Sequence, residues 1–314
     1  MRCFCSLLLV ALLALPAWAA PTLDGTKDAS YDLRAVQTVE TNFGDNFSEL
    51  DAAYARVEGG VLYLMLTGNL ESNFNKLNIF IDSVAGGQNQ IGPGTNQGGT
   101  NPNNDDWAQN YSGVGPAADG DGPGFTFDAG FAADYLLINR RGAGKFDFDF
   151  ATVGGGAGGF ESTFDIFGGF DSGSNSSVGA SGIGVAFDNS NVAGIAGGTG
   201  GANQAAALAV TTGLELAIPL SAIGNPNPQD ILISAHVNGS NHDYLSNQSL
   251  GGFPAPQGNP GEDGFGGFTG NGDVAEINLN NYPNTDQFFK AVPEPSTLVL
   301  FGLALAGLAC GRKR

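Results

Sequence analysis

Glycine interrupts this chain too often for helices to propagate. It fills 50 of 314 positions, proline fills 15 and asparagine 28, and all three are poor helix formers. The Ala-Glu-Lys-Leu blocks that sustain helix bundles are missing. Glycine does not recur at every third position, which excludes collagen. Hydrophobic residues still make up 42% of the chain, enough to support a core, so disorder is disfavoured. What remains is a loop-rich, acidic β protein.

Strand-length runs stand between the glycines. Residues 51–57 and 61–66 read as a hairpin around Gly59 and Gly60. Residues 77–82 form a third strand, ended by Gly86 and Gly87. Residues 135–139 and 145–150 read as a second hairpin around Gly142 and Gly144. In its second strand Phe146, Phe148 and Phe150 share one face, and Asp147 and Asp149 share the other. That alternation predicts a half-buried strand with one wet face. Further strands are expected at 183–187, 214–218, 231–237 and 273–279. Residues 205–212 suit either strand or helix, and 219–223 read as a short helical turn. Gly/Asn/Ser stretches at 86–104, 112–124, 151–159, 168–182 and 194–203 separate these elements. With no fixed-period repeat and no domain break, the expected fold is all-β. It is a single elaborated antiparallel β-sandwich, jelly-roll-like, over 20–290 with long Gly/Asn-rich loops.

The two ends read as addresses. Met1-Arg2-Cys3, an apolar run at 7–15 and Ala17-Trp18-Ala19 form a secretory signal peptide over 1–19. Signal peptidase is expected to cut after Ala19 or Ala20. At the other end Val292-Pro293-Glu294-Pro295 precedes the apolar run 298–311, and Arg312-Lys313-Arg314 follows. The run is short for a full span but workable with Ser296, Thr297 and a thinned bilayer, so a C-terminal transmembrane helix is expected. The basic end stays in the cytoplasm. All three cysteines, Cys3, Cys5 and Cys310, lie in these ends, so no disulfide holds the body. Four of 12 basic residues lie there too, against one of 31 acids. The body therefore has 8 basic and 30 acidic residues. Nucleic acid binding needs phosphate-neutralising Lys and Arg and is not expected. Such acidity favours solubility, repulsion from anionic lipid and cation binding.

The tail at 292–314 closely resembles the PEP-CTERM protein-sorting signal. Pro293-Glu294-Pro295, the hydrophobic stretch and Arg312-Lys313-Arg314 occur in that family's order. The resemblance implies processing by an exosortase-type membrane transpeptidase in a Gram-negative bacterium, with transient anchoring through the C-terminal helix. It also implies a cell-surface or extracellular-matrix destination, often linked to exopolysaccharide. The body is similar to family 9 carbohydrate-binding modules and DOMON sandwiches over about 23–240. The carriers are Leu23-Asp24-Gly25, Ala53-Tyr54, Gly60-Val61-Leu62-Tyr63-Leu64, Ile79-Phe80-Ile81-Asp82 and the Glu-x-x-Ile-Pro run ending at Pro219.

Catalysis is not expected. The two histidines, His236 and His242, have no Gly-x-Ser-x-Gly elbow to serve. Gly154-Gly155-Gly156-Ala157-Gly158-Gly159 fits a dinucleotide fingerprint only formally, because no helix follows it. Zinc is disfavoured by the missing cysteines. No cofactor is expected beyond structural calcium, with Asp105, Asp106, Asp119 and Asp121 as loop ligands and Asp24, Asp28 and Asp82 as further donors. Trp107 is the only tryptophan outside the signal peptide, and Tyr111 is close by, both among Asn, Asp and Gln. They form a candidate glycan platform. The expectation is a non-enzymatic, structural or adhesive exported protein; a carbohydrate-binding module for exopolysaccharide or another glycan is the alternative.

Overall fold

The computed structural model describes residues 19–91, 123–153, 161–170, 172–240, 244–261 and 274–292. Residues 1–18 of the expected signal peptide and 293–314 of the tail, including the expected C-terminal helix, lie outside them. Among the described residues no helix is long and apolar enough to cross a membrane.

The body is built from antiparallel sheets, as expected. In the first sheet β1 (Asp32–Val36), β2 (Glu49–Glu58) and β3 (Val61–Asn69) lie side by side. In the second sheet β4 (Asn73–Asp82) pairs with β7 (Tyr135–Gly142), which pairs with β8 (Lys145–Thr152) and then β9 (Glu161–Thr163). Between β4 and β7 the chain makes a small ladder of β5 (Gln90–Ile91) and β6 (Phe125–Thr126). It then returns to the first sheet as β10 (Asn175–Val178) and β11 (Gly184–Phe187). After α1 (Gln204–Ala209), β12 (Gly213–Pro219) closes that sheet between β11 and β3. Finally β13 (Leu232–Asn238), β14 (Leu245–Leu250) and β15 (Phe289–Lys290) extend the second sheet beside β4.

Local chemistry explains the hairpins. Gly59 and Gly60 both take positive φ, 59° and 80°, in the turn between β2 and β3. In the β7–β8 turn the positive φ values fall on Ala143 and Gly144, not on Gly142. Gly142 stays in β7, where the Phe74 ring sits so close that a Cβ would come within 2.4 Å of it.

Both sheets feed one apolar cluster. Leu64, Leu66, Phe187, Leu214 and Leu216 come from the first sheet, and Ile79, Ile81, Leu137, Phe146, Phe148 and Ile233 from the second. The opposite face of the second sheet is covered as well. Phe80, Leu136 and Ile138 pack there with Phe125, Phe127, Phe131, Val274 and Leu279.

Several expectations need correction. The Asp147/Asp149 face of β8 is not wet: Asp147 is 6% exposed and Asp149 fully buried, because Arg140 on β7 pairs with both acids and Asp165 N–H donates to Asp147. The strand expected at 273–279 is two short 3-10 turns, Val274–Glu276 and Leu279–Asn281. The ambiguous 205–212 stretch begins as α1, whose first turn is capped by the Asn203 side chain accepting from Ala205 and Ala206 N–H. Residues 245–247, for which no strand was expected, begin β14. This strand is polar yet buried, because its amides act as staples. Asn247 Nδ2 donates to the carbonyls of Glu40 and Gln257, both at 2.8 Å. Gln248 Oε1 accepts from Leu50 N–H at 3.0 Å. These bonds tie an edge of the second sheet to the β1–β2 connection of the first.

Candidate functional site

The covered face of the second sheet carries a row of charge that composition does not reveal. Asn238, Lys76, Arg140 and Asp147 stand opposite one another across β13, β4, β7 and β8. Lys76, Arg140, Asp147 and Asp149 are all buried. Arg140 Nη1 lies 2.5 Å from Asp149 Oδ2, and its Nε lies 3.3 Å from Asp147 Oδ2. Asn78 Nδ2 donates to Asn238 Oδ1 at 2.9 Å, and Lys76 Nζ donates to the Ser240 carbonyl. Burial raises the Asp149 carboxyl above its ordinary pKa, and the Arg140 guanidinium pulls against it. Arg140 thus pairs with two buried carboxylates inside the strand ladder, an arrangement in which removing the cation leaves buried charge uncompensated.

Beside this row, on the same strand as Asn238, lies His236. It is fully buried, edge-on to Phe125 at 5.7 Å. Burial pushes its imidazole down to about 3, so it is neutral. Its Nε2 is 2.7 Å from Ser234 Oγ, which in turn lies 2.6 Å from the Gln287 carbonyl. A carbonyl only accepts, so Ser234 must donate to it, and Nε2–H must donate to Ser234. The proton sits on the wrong nitrogen for this histidine to activate this serine.

The N-terminal segment is held by Glu215 on β12. Its Oε2 accepts from Asp24 and Gly25 N–H, each at 2.9 Å, and its Oε1 from the Tyr31 hydroxyl at 2.7 Å. This is the glutamate of the Glu-x-x-Ile-Pro run. Glu161 on β9 does similar work. It accepts from Ala180 N–H, from Ser181 N–H and hydroxyl, and from Thr163, and these donors hold its pKa below the usual value despite burial.

At the far end, β15 joins the sheet with Lys290 opposite Leu232. Ala291 N–H donates to the Ile231 carbonyl at 3.0 Å, and Val292 packs on the main apolar cluster. The described body thus reaches Val292.

The predicted site residues lie elsewhere. Pro293, Glu294, Pro295, Arg312, Lys313, Arg314, Trp107, Tyr111, Asp105, Asp106, Asp119 and Asp121 all lie outside the described residues, as do His242 and the glycine run. Asp24, Asp28 and Asp82 are described and do not converge. Each accepts a nearby backbone N–H, from Thr26, Thr22 and Ala132 respectively. Among the described residues no group of three His, Cys, Asp or Glu is placed to hold a metal. Sequence reasoning missed the charged row, for which the adjacent Arg140-Arg141 opposite a Phe-Asp alternation is the available signal. It also missed two buried acids, Glu49 and Asp51, whose alternation at the start of β2 is theirs.

No curated protein and no solved structure matches the chain. Residues 291–314 match the family model of the PEP-CTERM protein-sorting motif. Through this tail, which follows directly on β15, the chain is an exported target of exosortase, processed at the membrane.

Proposed function

We propose that this protein is a non-enzymatic structural or adhesive component of the cell surface or extracellular matrix of a Gram-negative bacterium. Its body is a two-sheet β-sandwich carried to the membrane by a cleaved signal peptide. A C-terminal helix anchors it transiently until exosortase acts. The observation that carries this reading is the sorting motif placed directly after a strand of the folded body. The shared apolar cluster between the two sheets supports the sandwich. The excess of acids supports a body that stays off anionic lipid. Deleting residues 293–314 tests the sorting. The truncated body is expected to lose membrane processing and to change its location in cell fractions. Unchanged processing and location would overturn the reading.

Trp107 supports a second reading, recognition of exopolysaccharide or another glycan. It is the only tryptophan outside the signal peptide, and Asn, Asp and Gln flank it. Indole stacks on sugar faces while amides and carboxylates bond hydroxyls. A matrix pull-down is expected to weaken on Trp107→Ala; equal capture would remove this site.

A further inference from the structure

The sorting motif and the folded body share residues. The matched segment begins at Ala291, and the fold extends to Val292. Ala291 is buried, its N–H donates to the Ile231 carbonyl at 3.0 Å, and Val292 packs on the main apolar cluster. Just upstream, Phe289 and Lys290 stand opposite Ile233 and Leu232 in the ladder with β13. Phe289 is buried and Lys290 exposed. Pro293, Glu294, Pro295, Ser296 and Thr297 are all that separates this docked strand from the apolar run at 298–311. Fully extended, those residues span at most about 18 Å.

The hold on this end of the chain is uneven. Gln287 is fully buried and clasped by backbone and side chain alike. Its N–H donates to Asp128 Oδ2 at 2.6 Å. Its Nε2 donates to the Gly252 carbonyl at 2.8 Å and to Thr285 Oγ1 at 2.9 Å. Its carbonyl accepts from Ser234 Oγ at 2.6 Å. Gly251, with φ +84°, lets this segment lie close, since a Cβ there would run into the Asp286 carbonyl and the Phe288 backbone. Past Gln287 the chain is held by a two-residue ladder, by the Ala291 bond to Ile231 and by the burial of Phe289 and Ala291. Short peripheral elements with few bonds open locally while the rest of a fold stays shut. Gln287 is the fixed clasp, and 289–292 is a strap that can leave β13.

We propose that this strap controls access to the sorting motif: the membrane enzyme acts on the tail only when residues 289–292 have left β13. The proposal rests on the assignment of the tail to exosortase. Enzymes that cut or join peptide bonds take the residues on both sides as an extended strand, bonded through backbone N–H and C=O groups. In the docked state the Ala291 N–H is taken by Ile231, and Val292 lies on the core. Release frees residues 289–292 on the body side of Pro293 and adds about 13 Å of reach. The Gln287 clasp stays closed, so the body remains folded while its tail is processed.

A covalent clamp tests this. Because Ala291 bonds to Ile231, Lys290 and Leu232 form the closely spaced, non-hydrogen-bonded kind of cross-strand pair. That spacing suits a disulfide, so Leu232→Cys/Lys290→Cys locks the strap on β13. Pulse-chase labelling of the full chain, in cells that carry the exosortase, follows processing. The oxidised clamp is expected to slow processing at least about tenfold. Dithiothreitol should restore the rate, and each single-cysteine variant should match the wild type. Inserting about six Gly/Ser residues between Val292 and Pro293 of the clamped chain supplies extended residues to the enzyme and should restore the rate without reduction. In the full chain purified in detergent, the Ala291 amide should exchange with solvent at least about tenfold faster than that of Gln287. Wild-type processing of the oxidised clamp overturns the proposal. So does a clamp that stays slow after reduction or with the insertion, or Ala291 exchange as slow as that of Gln287. A wild-type chain that is not processed at all sinks the sorting assignment and the strap with it, whereas equal rates for wild type and clamp sink the strap alone.

Discussion

The two sheets bury acids in opposite ways. In the second sheet Asp147 and Asp149 lie against Arg140, so their charge is partly offset within the strand ladder. In the first sheet Glu49 and Asp51 have only N–H donors, and one Asp51 oxygen has none. The two arrangements come from one acidic composition. The difference lies in the register partner: Arg140 stands opposite Asp147, whereas Asn69 stands opposite Glu49. A strand pair can hold buried carboxylates with its own cation. Without one, burial favours their protonated form.

The largest way to break this comparison is to remove the internal cation. Arg140→Ala leaves two buried carboxylates unpaired and should cost about 3–5 kcal/mol in urea unfolding. A loss below about 1 kcal/mol would show that the row is not held by charge. Next comes Glu215→Ala, which leaves two backbone N–H groups and the Tyr31 hydroxyl without their acceptor. About 3 kcal/mol is expected, with faster amide exchange at residues 24 and 25.

A smaller effect is expected from pH. Folded Glu49 and Asp51 titrate near 7 and 8, whereas carboxyls of the unfolded chain titrate near 4. Between those values the folded chain holds more protons. Their contribution to stability therefore falls as pH rises from about 4 to about 8, then levels off. If the Glu49→Gln/Asp51→Asn variant shows the wild-type slope, the acids of the first sheet are not the unbalanced ones. Val192→Ser, next to Asn191 but 84% exposed, is the smallest perturbation. It should change stability by no more than about 0.5 kcal/mol, and a larger loss would mean that the loop surface itself is held.

The hairpins at 49–69 and 135–152 were legible because their signals are local. Alternating side chains face opposite sides of a strand, and glycine marks the turn. The wet face expected for Asp147 and Asp149 failed because burial there depends on partners from other elements: Arg140 on β7 pairs with both acids, and Asp165 N–H donates to Asp147. No period within residues 145–150 reports those partners. Asparagine misled in the same way. It serves as a loop marker in the sequence, yet Asn247 and Asn259 are buried donors and acceptors that join distant segments. Short polar strands such as β10 and β14 carry no alternation and are visible only through their neighbours.

By itself the sequence determined export with processing at the membrane and the class of fold. A sorting motif is a contiguous run of residues, and a glycine-punctuated chain of short strands has little alternative to antiparallel sheets. The tertiary structure alone decided which strands meet. β12 pairs with β3 across more than a hundred residues, and such a pairing is set by the summed burial of two sheets on a common core, not by any local preference. The same long-range registers decided which acids received a cation from the chain and which did not.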